Sequence, residues 1–132
     1  MQETTTINDN SSITIQQIEI INTSMNYILL IIVAVILSYE SLCIQKKQLI
    51  CQITPTEACA CLPNVFPIQL TSNLLTLIAV IYFYCIAKQT KNSPVVDCKT
   101  KCSNNINYIS SLLVLIAAIL RLYNLIYQNT NK

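Results

Sequence analysis

The 132-residue chain contains no glycine, no histidine and no tryptophan. Without glycine it can form no phosphate-cradling loop, no dinucleotide fingerprint and no GxxxG helix-pairing motif. Lacking histidine, it is missing the commonest general base and the commonest neutral metal ligand. With no tryptophan, any interfacial aromatic belt falls to tyrosine, and Tyr27, Tyr39, Tyr82, Tyr84, Tyr108, Tyr123 and Tyr127 cluster toward the ends of apolar runs. Charge is also scarce, at 11% of residues, against roughly 25% in soluble domains. No nucleic-acid partner, cofactor, metal site or catalytic residue is expected. No Lys or Arg precedes Lys46, so the basic n-region of a signal peptide is missing and the first apolar run is expected to stay as an anchor.

What the chain does have is long apolar runs. Met25 to Ile44, Val65 to Ala87 and Tyr108 to Tyr127 are each about as long as the ~20 residues needed to cross a hydrocarbon core of ~30 Å as a helix. In lipid a single apolar segment satisfies its own backbone N–H and C=O groups only as a helix. Hydrophobic residues make up 53% of the chain and mean hydropathy is +0.51. None of the three runs shows the polar residue every third or fourth position of a surface helix. The remaining residues are too few and too polar to cover three all-apolar helices in water. The expected fold is an all-α membrane protein with three transmembrane helices in a small bundle and a polar N-terminal arm. The surplus of Ile, Asn and Lys without glycine matches the codon bias of an AT-rich bacterial genome.

Residues 1–24 form the arm, with Glu3, Asp9 and Glu19 and no basic residue. Up to about Asn10 it is polar and expected to be disordered. Beyond Ser11 and Ser12, the residues Ile18, Ile21, Met25 and Ile28 share one helical face. They describe a lead-in helix lying at the interface and running into the first span, within a membrane domain 25–132. In the first connection, 45–64, Leu42, Cys43, Lys46, Leu49, Ile50 and Ile53 carry the helical stripe onward until Pro55 ends it. The second connection, 88–107, holds Lys88, Lys91, Lys99 and Lys101 with one acid, Asp97, and reads as a solvated loop turning at Pro94.

Cytoplasmic segments carry excess Lys and Arg, but here the count ties. Lys46, Lys47, Arg121 and Lys132 fall on one side of the membrane and the four lysines of the second connection on the other. The first span, followed at once by two lysines and preceded by none, favours a cell-membrane protein with its N-terminus outside and its C-terminus in the cytoplasm.

Two charges fall inside spans, where charge is costly and usually paired or functional. Glu40 and Arg121 each lie ~21 Å along parallel helices, counted from Asn26-Tyr27-Ile28 and Asn107-Tyr108-Ile109. Equal depth predicts a salt bridge locking span one beside span three; separate snorkelling to the interface and a proton- or ion-conducting role are the alternatives. Small residues at Ala34 and Ser38, and at Ser72 and Thr76, offer close helix approach.

Of the seven cysteines, Cys43 and Cys85 read as small buried hydrophobes. Cys59, Cys61, Cys98 and Cys102 would make a four-thiolate zinc set, but span two puts the two pairs on opposite faces. In the favoured orientation Cys98 and Cys102 face the oxidising side and form a possible local disulfide, while Cys51, Cys59 and Cys61 stay reduced.

Function on this footing is a non-catalytic accessory or scaffold subunit that works through helix–helix association in the lipid bilayer, as a homo-oligomer or with a membrane-protein partner. Two alternatives are a self-associating pore or membrane-lesion protein, phage or bacteriocin-related, and a membrane thiol–disulfide protein using Cys98 and Cys102 or Cys59 and Cys61.

Overall fold

The structure, a computed structural model, describes residues 3–94 and 97–132, with side chains from residue 9 onward. The beginning of the arm at Met1 and Gln2 lies outside the described residues. The elements are α1 (Glu3–Ile53), a short 3-10 turn (Glu57–Cys61), α2 (Phe66–Asn92) and α3 (Cys98–Thr130). All three α-helices are long and apolar enough to cross a membrane. The chain is thus a small all-α bundle of three candidate membrane spans, and no strand occurs among the described residues.

α1 is uninterrupted because nothing between Glu3 and Ile53 interrupts it: the stretch has neither glycine nor proline. The polar arm, expected to be disordered up to Asn10, is helical from Glu3. Its hydroxyls turn inward, Thr14 donating to the Asn10 carbonyl at 2.8 Å, Thr23 to Glu19 at 2.9 Å and Ser24 to Ile20 at 2.8 Å. Such back-bonds satisfy Ser and Thr without leaving the helix. The lead-in and the span are one continuous helix, so no break turns the arm into the interface plane.

Pro55 acts as expected. α1 ends at Ile53, and the Thr54 amide closes the final turn on Ile50 at 2.8 Å. Asn64 then accepts the Phe66 amide at 3.1 Å, and Pro67 occupies the first turn of α2, where a missing N–H costs nothing. The second connection differs from the sequence reading. Helix covers most of it, because α2 runs on to Asn92 and α3 begins at Cys98. The Asp97 carboxylate caps α3, accepting from the Lys99 amide at 3.3 Å and the Thr100 hydroxyl at 3.2 Å. Lack of an apolar period had suggested a loop, but a capped polar stretch without a breaker extends the helix instead.

α2 packs against both neighbours, and among the described residues α1 and α3 share no close backbone approach. The three helices therefore stand with α2 in the middle. The buried residues are small or β-branched: Ala34, Ser41, Val65, Ser72, Ala79, Val80 and Ala87. Lipid gives apolar side chains little reason to leave it, so close packing of small residues is what brings spans together.

Candidate functional site

Hydroxyls make the α1–α2 seam. Ser72, 3% exposed, donates to the Ala34 carbonyl at 2.7 Å, and its oxygen lies 2.6 Å from that of Ser38. Ser41 donates to the Ser38 carbonyl at 2.9 Å and Thr76 to that of Ser72 at 2.9 Å. The two small-residue steps noted in the sequence thus meet each other across the seam. At the opposite end, Tyr27 and Tyr82 stack with ring centroids 4.0 Å apart, and the Tyr82 hydroxyl lies 3.2 Å from that of Ser24. α3 is tied to α2 there by the Tyr84 and Tyr108 hydroxyls at 3.3 Å, with the Lys91 ammonium 4.2 Å above the Tyr108 ring.

Because the backbones of α1 and α3 do not approach closely among the described residues, a trough runs between them with α2 as its floor. Where α2 begins, a cleft of about 200 Å³ is walled by Gln45 and Gln48 of α1, Gln69 of α2 and Gln128 of α3. It passes into one of about 210 Å³ lined by Ser38, Asn73, Arg121 and Asn124. Asn73 and Arg121 also border the next hollow, about 140 Å³, whose remaining walls are mostly apolar: Val80, Val114, Ala117 and Ala118. Val80 and Val114 then lead into a last hollow of about 250 Å³ with Ile31 and Phe83. Polarity falls along this path, from carboxamides and a guanidinium to a last hollow in which Ser110 and Ser111 are the polar lining residues.

The structure does not bring Glu40 and Arg121 together. Arg121 lines the trough, whereas Glu40 is exposed and sits six residues beyond buried Ala34, roughly 240° around α1. Depth along a helix says nothing about azimuth, and α2 intervenes between the two spans. The expected lock of span one directly beside span three is replaced by α2 packing on each.

The cysteines are also corrected. The disulfide joins Cys51 to Cys59, with Cα atoms 5.8 Å apart, and so clips the end of α1 to the 3-10 turn. Gln48 adds a bond to the Pro63 carbonyl at 3.4 Å. Cys98 and Cys102, expected as a local bridge, are free and exposed within the first turns of α3. The sequence reads as a solvated loop there, whereas helix α3 holds the two thiols in a regular backbone four residues apart. Cys61 is free and exposed, Cys43 half-buried, and Cys85 exposed rather than buried. Among the described residues no group of three His, Cys, Asp or Glu could hold a metal ion.

The sequence reading missed the carboxamides of the trough. Their signal was present: Gln69 and Asn73, four residues apart, fall near the start of an otherwise apolar run, and Arg121, Asn124 and Gln128 recur at helical spacing near the end of another. No protein-family model, curated protein or solved structure matches this chain.

Proposed function

We infer that the chain is a multi-pass protein of the cell membrane that acts without catalysis, as an accessory or scaffold subunit associating through its helices. The observation that supports this reading is the one-sided packing of α1. Ile15, Ile18, Ile21 and Met25 are exposed, and every described side chain from residue 9 to 22 is exposed as well. An exposed apolar stripe on a helix segment that runs on past its α2 neighbour is the kind of surface that marks an interaction site. A photo-crosslinker at Ile18, in native membranes, tests it. The expected product is a discrete adduct with one protein or with a second copy; labelling of lipid alone argues against association through this segment.

The disulfide supports an orientation opposite to the one favoured by the flanks of the first span. Disulfides persist on the oxidising side of a membrane, so the Cys51–Cys59 clip belongs outside. The arm and the segment with Lys88, Lys91, Lys99 and Lys101 then lie in the cytoplasm, and the C-terminus lies outside. The tied basic count does not oppose this, and the free Cys98 and Cys102 fall on the reducing side.

A thiol–disulfide role is favoured by one feature, the exposed free Cys61 two residues from bridged Cys59. Its thiolate attacking the Cys59 sulfur would release Cys51 as the thiol. Cys61→Ser should then abolish the alkylation of Cys51 that occurs without added reductant, and Cys51 should resist alkylation in both proteins if the clip is only structural.

A further inference from the structure

We propose that the trough between α1 and α3 binds one anionic glycerophospholipid, its phosphate at Arg121 and an acyl chain along Val80 and Val114.

The argument begins with Arg121. A guanidinium within an apolar span is costly and calls for a counter-charge. The protein supplies none in the trough: Glu40 faces away, and no Asp or Glu lines any of the four hollows. Arginine holds a phosphate through paired N–H donors, and such charge-assisted bonds are roughly twice as strong as neutral ones. Asn124 and Gln128, which border the same cleft, offer carboxamide N–H groups to the remaining phosphate and glycerol oxygens, and Asn73, one of whose amide hydrogens bonds the Gln69 carbonyl at 2.9 Å, offers the other.

The apolar continuation identifies the phosphate as a lipid's. From Arg121 to Ser111 the trough follows α3 for ten residues, ~15 Å, or about one leaflet of a ~30 Å hydrocarbon core. Over that length its walls change from carboxamides to mostly apolar side chains, with Ser110 and Ser111 at the far end, the order in which a phospholipid presents head and tail. A free phosphate would have no use for Val80, Val114 or Ala118. The feature is independent of the partner stripe on the arm, which lies beyond the other end of the bundle.

The test uses the full chain purified in detergent and examined by native mass spectrometry against equal amounts of phosphatidylglycerol and phosphatidylcholine with the same acyl chains. Both lipids offer a phosphate to Arg121, but the choline ammonium of phosphatidylcholine is repelled by the guanidinium, so the expected result is a one-to-one adduct with phosphatidylglycerol favoured about tenfold. Arg121→Gln should bring that ratio near one, and Arg121→Lys should keep part of it. Val114→Trp, filling the tail end, should reduce retention of both lipids. Equal retention of the two lipids by the unaltered protein overturns the proposal whether or not any variant folds. So does displacement of phosphatidylglycerol by millimolar inorganic phosphate, which would mean that the site takes the anion alone. A lipid-free dimer, cross-linked through Val114→Cys, would assign the trough to a second copy and also overturn it.

Discussion

Ser72 is the residue on which the α1–α2 seam turns. It is buried against Ala34 and satisfies its hydroxyl on the Ala34 carbonyl while meeting Ser38. Interhelical hydrogen bonds in membrane proteins contribute about 0.6 kcal/mol on average and up to about 1.7. Ser72→Ala should therefore lower stability by about 0.5–1.5 kcal/mol in a detergent-unfolding titration. Ser72→Leu should cost more, because a branched side chain forces the helices apart in a seam built on small residues. Glu40 and Arg121 give the opposite expectation. Neither contacts the other, so Glu40→Arg should change protein levels little and adding Arg121→Glu should bring no rescue. Recovery of the double variant, measured as protein retained in the membrane fraction, would contradict the observed azimuths.

At the scale of elements, two attachments secure the helices away from that seam. The Tyr27–Tyr82 stack closes the end opposite the α1–α2 turn. A double-mutant cycle with Tyr27→Ala and Tyr82→Ala should return a coupling of about 0.5–1.5 kcal/mol, as aromatic pairs do beyond their buried area. The Cys51–Cys59 clip spans a sequence separation of 8 residues. Closing a loop of that length stabilises by about 2–3 kcal/mol in the chain-entropy account. Cys51→Ser should abolish the mobility difference between reduced and non-reduced protein on a gel, and Cys98→Ser should leave it intact. The three helices were legible in the sequence because apolar run length is a one-dimensional property. Pro55 and Pro67 marked helix limits for equally local reasons. The capped polar turns at Cys98–Asn107 were not legible, since the cue was a single Asp97 side chain and not a period.

Across the whole molecule, the order of the helices in space decides what the candidate site is. Run lengths give depth, and depth put Glu40 level with Arg121. Only the placement of α2 in the middle turned Arg121, Asn73 and Gln69 into the lining of one trough and sent Glu40 elsewhere. The same order separates the disulfide from the lysine-rich segment by the full length of α2. An impermeant maleimide on intact cells should label Cys61 without prior reduction, Cys51 and Cys59 only after it, and Cys98 or Cys102 not at all. Labelling of Cys98 or Cys102 on intact cells would restore the orientation with the N-terminus outside.

α1 is far longer than its role in the bundle requires. Its 51 residues measure ~76 Å along the axis, against a hydrocarbon thickness of ~30 Å. The α2 neighbour reaches it as far up as Ile20, whose carbonyl accepts from the Tyr82 hydroxyl at 3.4 Å. From there back to Asp9 every side chain is exposed, and the helix runs on to Glu3 as a mast about 25 Å tall. With no glycine or proline joint along it, any tilt of the bundle in the bilayer is transmitted undiminished to the masthead. A small rocking of the membrane part becomes a wide sweep of the acidic tip, and whatever grips that tip can in turn lever the bundle.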